Sequence, residues 1–163
     1  MELEELYKDI YPNIYAFFYV KTSNRQVAED LTQEVFFQAM KNAHTFSKES
    51  TVQTWLFAIA KNRLKNFYRS KTYQDHLLKK LPREEWDTDT PEARLIEKEA
   101  QNSLIEAIHQ LEELPKEIVT LRVYGELSFK EIAALVDKSE NYTRIIFHRA
   151  KLKIKKELDD NYG

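Results

Sequence analysis

Apolar positions along residues 2–20 recur at helical spacing: Leu3, Leu6, Tyr7 and Ile10, then Ile14, Phe17 and Phe18 beyond Pro12. That rhythm predicts a first helix with one buried stripe. A second helix is expected over about 24–43, with Ala28, Leu31, Val35 and Ala39 on its apolar side. Beside them Asp30, Gln33, Glu34 and Phe37 fall at i, i+3, i+4 and i+7, a polar stripe ending in an aromatic. Ser23 followed by Gln26 has the spacing of a capping box at its start. The polar stretch 46–54 reads as a loop, and a third long helix is expected over about 52–72. In it Leu56, Ile59, Ala60, Leu64 and Phe67 cluster on one side, while Asn62, Lys65, Asn66 and Arg69 line the other. Lys61 and Tyr68 border that polar face.

The pattern then breaks. Between Arg83 and Glu99 seven acids stand against three basic residues, with Pro91 and an Asp-Thr-Asp-Thr run among them and Pro82 just before. Residues of about 74–90 therefore read as a linker between two domains. Thr90-Pro91 suits the cap and first turn of a helix reaching about Leu111, and Pro115 opens another that stops near Gly125. Ser128 with Glu131 is a capping box for a short helix, about 129–136, and Ser139 caps a last one, about 140–158. The fold class expected is all-α: a first domain 1–73, the linker 74–90, and a second domain 91–163.

The last two helices, joined by Asp137-Lys138-Ser139, have the layout of a helix-turn-helix. The turn lacks glycine, so Asp137 must take the left-handed conformation, which Asp tolerates better than most residues. Thr143, Ile146, Phe147, Ala150 and Ile154 share one stripe and are expected in the core. Asn141, Arg144, Ile145, His148, Lys151 and Lys155 fall opposite, with Arg149 at the edge. In a major groove arginine reads guanine, an amide reads adenine, and an aliphatic side chain touches a thymine methyl. The plain alternative is a solvated, lysine-rich helix.

Composition sharpens this. Among 163 residues there are only 2 glycines and 4 prolines, too few turn signals for an all-β chain. The net charge of −2 means that any polyanion-binding surface must be local. The basic residues of 54–71 (Lys61, Arg63, Lys65, Arg69 and Lys71) have no acid among them. Basic side chains neutralise phosphates, and amides and aromatics bind or stack on unpaired bases. Arg63 lies within the apolar arc, so it is expected to snorkel or to pair with a buried acid. Trp55 has two readings, packing at the head of the stripe or lining a strand-opening site.

With 0 cysteines there is no disulfide framework and no zinc–thiolate site, which fits an intracellular, cytoplasmic protein. The acidic start MELEELYKDIYP is not a signal peptide, and no stretch approaches a membrane span, so no membrane insertion is expected. His44, His76, His109 and His148 are scattered without ligand spacing, and there is no phosphate loop or nucleophile elbow. No catalytic residue, metal or cofactor is expected, and an enzyme is the poorest reading. A helix-turn-helix regulator acting on duplex DNA alone is the main rival, and a protein-interaction module is a third reading. A separate single-strand surface and a docking stripe discriminate against both.

Four segments, AEDLTQEVFFQAM (28–40), TWLFAIAKNRLKNFYR (54–69), LPKEIVTLRVYGELSFKEIAALV (114–136) and ENYTRIIFHRAKLKIKKEL (140–158), together resemble the bacterial extracytoplasmic-function (ECF) sigma factors of the sigma-70 family. The resemblance covers nearly the whole chain in order. It implies a sigma-2-like helical bundle and a sigma-4-like helix-turn-helix domain, with a non-catalytic role in starting transcription. It implies core RNA polymerase as partner, through the β′ clamp helices at Asp30, Gln33, Glu34 and Phe37 and through the β flap. It implies promoter DNA as the other partner. The −10 element would be read as unpaired strand by the 46–54 stretch and by Trp55, Lys61, Asn62, Lys65, Asn66 and Arg69. The −35 element would be read as duplex by Asn141, Arg144, Ile145, His148, Arg149 and Lys151. The acidic linker would lie in the polymerase channel. An anti-sigma factor, in many cases membrane-bound, is a further partner the family suggests.

The chain departs from that pattern at Asn66, where the family usually has Asp, and at Asp137, where it usually has glycine. It departs also at Asn141 and Tyr142, usually small, and at Ile146, usually polar. Base stacking contributes about 1–3 kcal/mol per base. Opening a duplex costs on the order of 1.4 kcal/mol per step. A few captured bases therefore offset part of the melting, and the polymerase must supply the rest.

Overall fold

The computed structural model describes residues 3–46, 49–77 and 103–162, and among these all regular structure is helical. In order these are α1 (Leu3–Thr22), α2 (Arg25–Lys41), a 3₁₀ turn (Ala43–Thr45), α3 (Val52–Leu77), α4 (103–109), α5 (Glu113–Val123), α6 (Phe129–Val136) and α7 (Glu140–Tyr162). The Thr90-Pro91 cap and residues 78–102, most of the expected linker, lie outside the described residues, as do the side chains of Leu3 and Leu6. α3 stays helical through Leu77, past the expected end of the first domain.

The spacing of apolar residues produces the packing. Ile10, Ile14, Phe17 and Phe18 of α1 meet Ala28, Leu31, Val35 and Ala39 of α2 and Leu56, Ala60 and Leu64 of α3 in one buried cluster. α1 runs through Pro12 without a break. The ring is exposed there, so the carbonyl left without an amide partner can face water. The expected Ser23–Gln26 capping box does not form. Ser23 has φ 54° and its N–H closes on the Tyr19 carbonyl at 2.8 Å, ending α1. Asn24 caps α2 instead, its side chain accepting from the Val27 N–H at 3.0 Å. With only two residues between the helices, one must end the first and the other must begin the second.

The second half forms as its punctuation predicts. Ser128 and Glu131 make both bonds of the capping box, at 3.1 and 3.0 Å. Asp137 ends α6 in the left-handed region, at φ 57° and ψ 48°. The Ser139 hydroxyl accepts from the Tyr142 N–H at 3.1 Å, opening α7. Thr143, Ala150 and Ile154 are buried as expected, and Ile146 and Phe147 half-buried. A smaller cluster of Ala107, Ile108, Leu111, Val119, Ala150 and Ile154 ties α4, α5 and α7 together.

The described residues of the two halves share a core. Ile118 and Leu121 of α5, Leu127 of the following turn, and Ile132 of α6 belong to the same buried cluster as the first-half core. Phe57 of α3 is the hinge of that contact. It is fully buried, and its ring meets Phe17 edge-on at 5.7 Å. Its Cζ lies 3.2 Å from where a Cβ on Gly125 would stand, and the Leu121 carbonyl oxygen lies 2.5 Å from the same point. Only glycine fits the α5–α6 turn at that approach.

Candidate nucleic-acid interface

Three exposed surfaces emerge from these helices. On α2, Asp30, Gln33, Glu34 and Phe37 are all exposed, Phe37 at 70 %. The burial of Ala28, Leu31, Val35 and Ala39 against α1 and α3 turns this stripe outward. Met40 extends it, 65 % exposed one turn beyond Phe37. The sequence reading missed Met40, although its i+3 spacing from Phe37 was a usable signal. Two large apolar side chains beside two carboxylates suit a protein partner with both apolar and basic groups.

On α3, Asn62, Lys65, Asn66 and Arg69 stand exposed along one face, because Leu56, Ala60 and Leu64 are buried on the other. The face thus offers two amides and two cations at one-turn spacing. Trp55 packs at the head of the stripe as one of its two readings expects: it is half-buried against the core, and its ring lies 5.2 Å from that of Phe46 at the mouth of the preceding loop. Arg63 pairs with an amide and not with an acid, its Nε donating to Gln38 Oε1 of α2 at 2.8 Å. That bond ties α3 to α2.

Lys61 differs from its neighbours. It is only partly exposed, and its Nζ donates to the Leu135 carbonyl oxygen of α6 at 3.0 Å. The Glu117 carboxylate lies 4.0 Å away. Glu117 also pairs with Lys21 of α1. The Tyr68 hydroxyl donates to the Lys21 carbonyl at 2.7 Å. Burial, with Glu117 and Glu113 nearby, pushes the Tyr68 phenol above its ordinary value, so it remains a neutral donor. Lys21, Lys61, Lys65, Tyr68, His109 and Glu117 thus surround an open cavity of about 660 Å³ between the halves.

On α7, Asn141, Arg144, Ile145, His148, Arg149 and Lys151 are all exposed, on the side away from buried Thr143, Ala150 and Ile154. Phe129, the first residue of α6, organises part of this face. The Arg144 guanidinium lies over its ring at 5.2 Å and the His148 ring centre is 6.2 Å away. Glu140 holds the other side of Arg144 at 3.2 Å. Arg122 covers Phe129 at 4.3 Å and donates to the Leu127 carbonyl at 2.9 Å, bracing the turn into the motif. Phe129 was not legible as a support, because a residue at the first turn of a short helix reads equally as core.

Among the described residues no cluster of three His, Cys, Asp or Glu could hold a metal, and no helix is long and apolar enough to cross a membrane.

Both halves of the chain match known families. Residues 6–73 match the family Sigma-70 region 2, and residues 101–154 match Sigma-70, region 4. The chain is 29% identical over 158 residues to the RNA polymerase sigma factor YlaC of Bacillus subtilis (strain 168), covering 96% of this chain and 91% of that one. It is 29% identical over 157 residues to the ECF RNA polymerase sigma-E factor of Haemophilus influenzae, covering 91% and 83%. In fold it resembles the sigma factor RpoE solved in complex with the anti-sigma factor NepR from Bartonella quintana, with a TM-score of 0.72, 19% identity and 96% of each chain covered. It also resembles CnrH in complex with the cytosolic domain of CnrY, with a TM-score of 0.66, 18% identity, and 97% and 88% covered.

Proposed function

Because this chain belongs to the sigma-70 family, in its extracytoplasmic-function group, we propose that its three exposed surfaces divide the work of starting transcription. The protein is a sigma factor and not an enzyme: it associates with RNA polymerase and directs initiation at promoters. The division among surfaces rests chiefly on one observation. Two cationic, amide-bearing faces stand on two different helices, one in each family region.

In this reading Asp30, Gln33, Glu34 and Phe37, with Met40, dock the β′ clamp helices of core polymerase, and the second domain meets the β flap. Exposed acids beside an exposed aromatic fit a basic, partly apolar helix pair. Asn62, Lys65, Asn66 and Arg69 take the unpaired −10 strand, with Trp55 and Phe46 at the loop mouth as the aromatic platform and Lys61 at the border. Asn141, Arg144, Ile145, His148, Arg149 and Lys151 read the −35 duplex from the major groove. The domain division 1–73, 74–90 and 91–163 is carried with this assignment.

An anti-sigma factor is the regulatory partner proposed, as found with both solved relatives. The working place proposed is the bacterial cytoplasm, at the nucleoid. The rival of a regulator acting on duplex DNA alone is disfavoured by the match to region 2, which such a regulator does not need. The test is transcription in a purified system with core polymerase and a genome-derived promoter library. Starts at a discrete promoter set are expected, and their absence across the library contradicts the reading. In the same system Glu34→Lys is expected to lower core affinity at least tenfold with its helix content unchanged. Unaltered affinity removes the α2 stripe from the docking role.

A further inference from the structure

Lys21 of α1, Lys61 and Lys65 of α3 and Lys116 of α5 converge on the open cavity of about 660 Å³. Four ammoniums there face two carboxylates, Glu113 and Glu117, an excess of two positive charges. The excess is larger in effect than in count. The Glu113 side chain is 93 % exposed, so water and salt screen its charge. Of the two acids Glu117 alone is set into the wall, and it serves both Lys21 and Lys61. The Lys21 side chain is itself only 11 % exposed. One carboxylate compensates one ammonium in full, and Lys61 has the Leu135 carbonyl dipole as its other partner. Lys65 and Lys116 add two further cations to the same concavity.

A concave site with protein walls focuses the field of its charges, and lysine binds phosphate as a point charge. The volume falls within the roughly 300–1,000 Å³ of small-molecule sites. Leu64 and the ring of Tyr68 give the cavity an apolar side next to its cations. The Tyr68 hydroxyl donates to the Lys21 carbonyl, which fixes the ring at the wall.

We propose that this cavity binds a small phosphorylated anion of nucleotide size that carries two or more negative charges. Its phosphates meet Lys21, Lys61, Lys65 and Lys116, and its uncharged part lies against Leu64 and Tyr68. This adds a ligand that none of the three partner-facing surfaces takes, and its binding by the free chain does not depend on their assignment. Where α3 is read as the −10 surface, the ligand and the strand draw on the same two cations, Lys61 and Lys65.

The test is isothermal titration calorimetry on the full chain at about 0.15 M salt, where attraction between exposed charges is damped beyond ~8 Å. The probes are inorganic pyrophosphate and ADP, both without magnesium, which would mask their charge. One saturable site per chain is expected. Lys116→Gln, outside the three partner-facing surfaces, is expected to weaken it at least fivefold. Lys71→Gln, on α3 but outside the cavity lining, is expected to leave it unchanged. Glu117→Gln is expected to tighten it several-fold, a gain that loss of the fold cannot imitate. Tighter binding of ADP than of pyrophosphate places a base against Tyr68, and equal or weaker binding confines recognition to the phosphates. No saturation by either probe at millimolar concentration overturns the site. Equal weakening by Lys116→Gln and Lys71→Gln also overturns it, because that marks diffuse attraction to basic residues. Neither result bears on the sigma function, which the promoter library tests separately.

Discussion

The polar faces of α3 and α7 are built alike but are offered differently. Each lies opposite an apolar stripe, and each carries cations near one-turn spacing, with two amides on α3 and one on α7. On α7 the predicted readers stand exposed, and Arg144 is pre-oriented by Phe129 and Glu140. On α3 the border of the face is occupied, with Lys61 engaged by α6 and Thr51 by Glu131. The difference shows that similar surfaces can be available or withheld according to what the rest of the chain packs against them.

That contrast can be broken in several places. The largest effect is expected at the edge of the α7 face. Arg149→Ala should lower discrimination for the −35 element by about 1–3 kcal/mol if this side chain reads a base, seen as a loss of preference in competition binding of the holoenzyme. An equal loss on all sequences makes Arg149 a phosphate contact instead. Lys65→Ala on α3 should act in that second way, weakening promoter complexes broadly and lowering the slope of log affinity against log salt by about 1. A sequence-selective effect at Lys65 contradicts its place on the strand backbone.

Glu117→Gln comes next. It removes the carboxylate that holds Lys21 and Lys61 without touching either DNA face. Single-stranded −10-type DNA should then bind the free factor a few-fold more tightly, measured by fluorescence anisotropy. Unchanged affinity means that Lys61 is not withheld by this pair. The smallest effect is one of pH. Burial alone would raise the Glu131 carboxyl, but hydrogen bonds from Thr51, from the Ser128 amide and hydroxyl, and from Thr54 outweigh it and hold the group below the ordinary carboxylate range. A lowered folded value stabilises the folded chain at pH above the ordinary unfolded value, and this is lost as pH falls through the folded one. The stability gap between the parent and Glu131→Gln should therefore narrow on acidification, followed by thermal melting at a series of pH values. A constant gap assigns Glu131 a role independent of its charge.

The helices and the exposed polar faces of α3 and α7 were legible because each is an amphipathic pattern of one segment, and periodicity reports a segment's own two sides. The capping box at Ser128 and Glu131 and the left-handed Asp137 were legible for the same reason, being local chemistry. What crosses between segments was not. Phe57 lies at the edge of the apolar stripe of α3, one turn before Ala60, and a wheel drawn for that helix alone does not show that its ring meets both Phe17 and the turn at Gly125. Arg63 meets an amide from α2, a choice that only the packed pair decides. Ser23 lost its capping role to Asn24 because α1 needed it for an ending.

The most direct test of the two-surface claim is permanganate mapping of unpaired thymines on a promoter fragment, with nuclease protection read on the same DNA. With core polymerase present, the chain should give protection around −35 and reactive thymines around −10, and Asn62→Ala/Asn66→Ala should abolish the second while leaving the first. Protection by the chain alone at full affinity, with no reactive thymines whether or not polymerase is added, would contradict it and leave a duplex-binding regulator in its place.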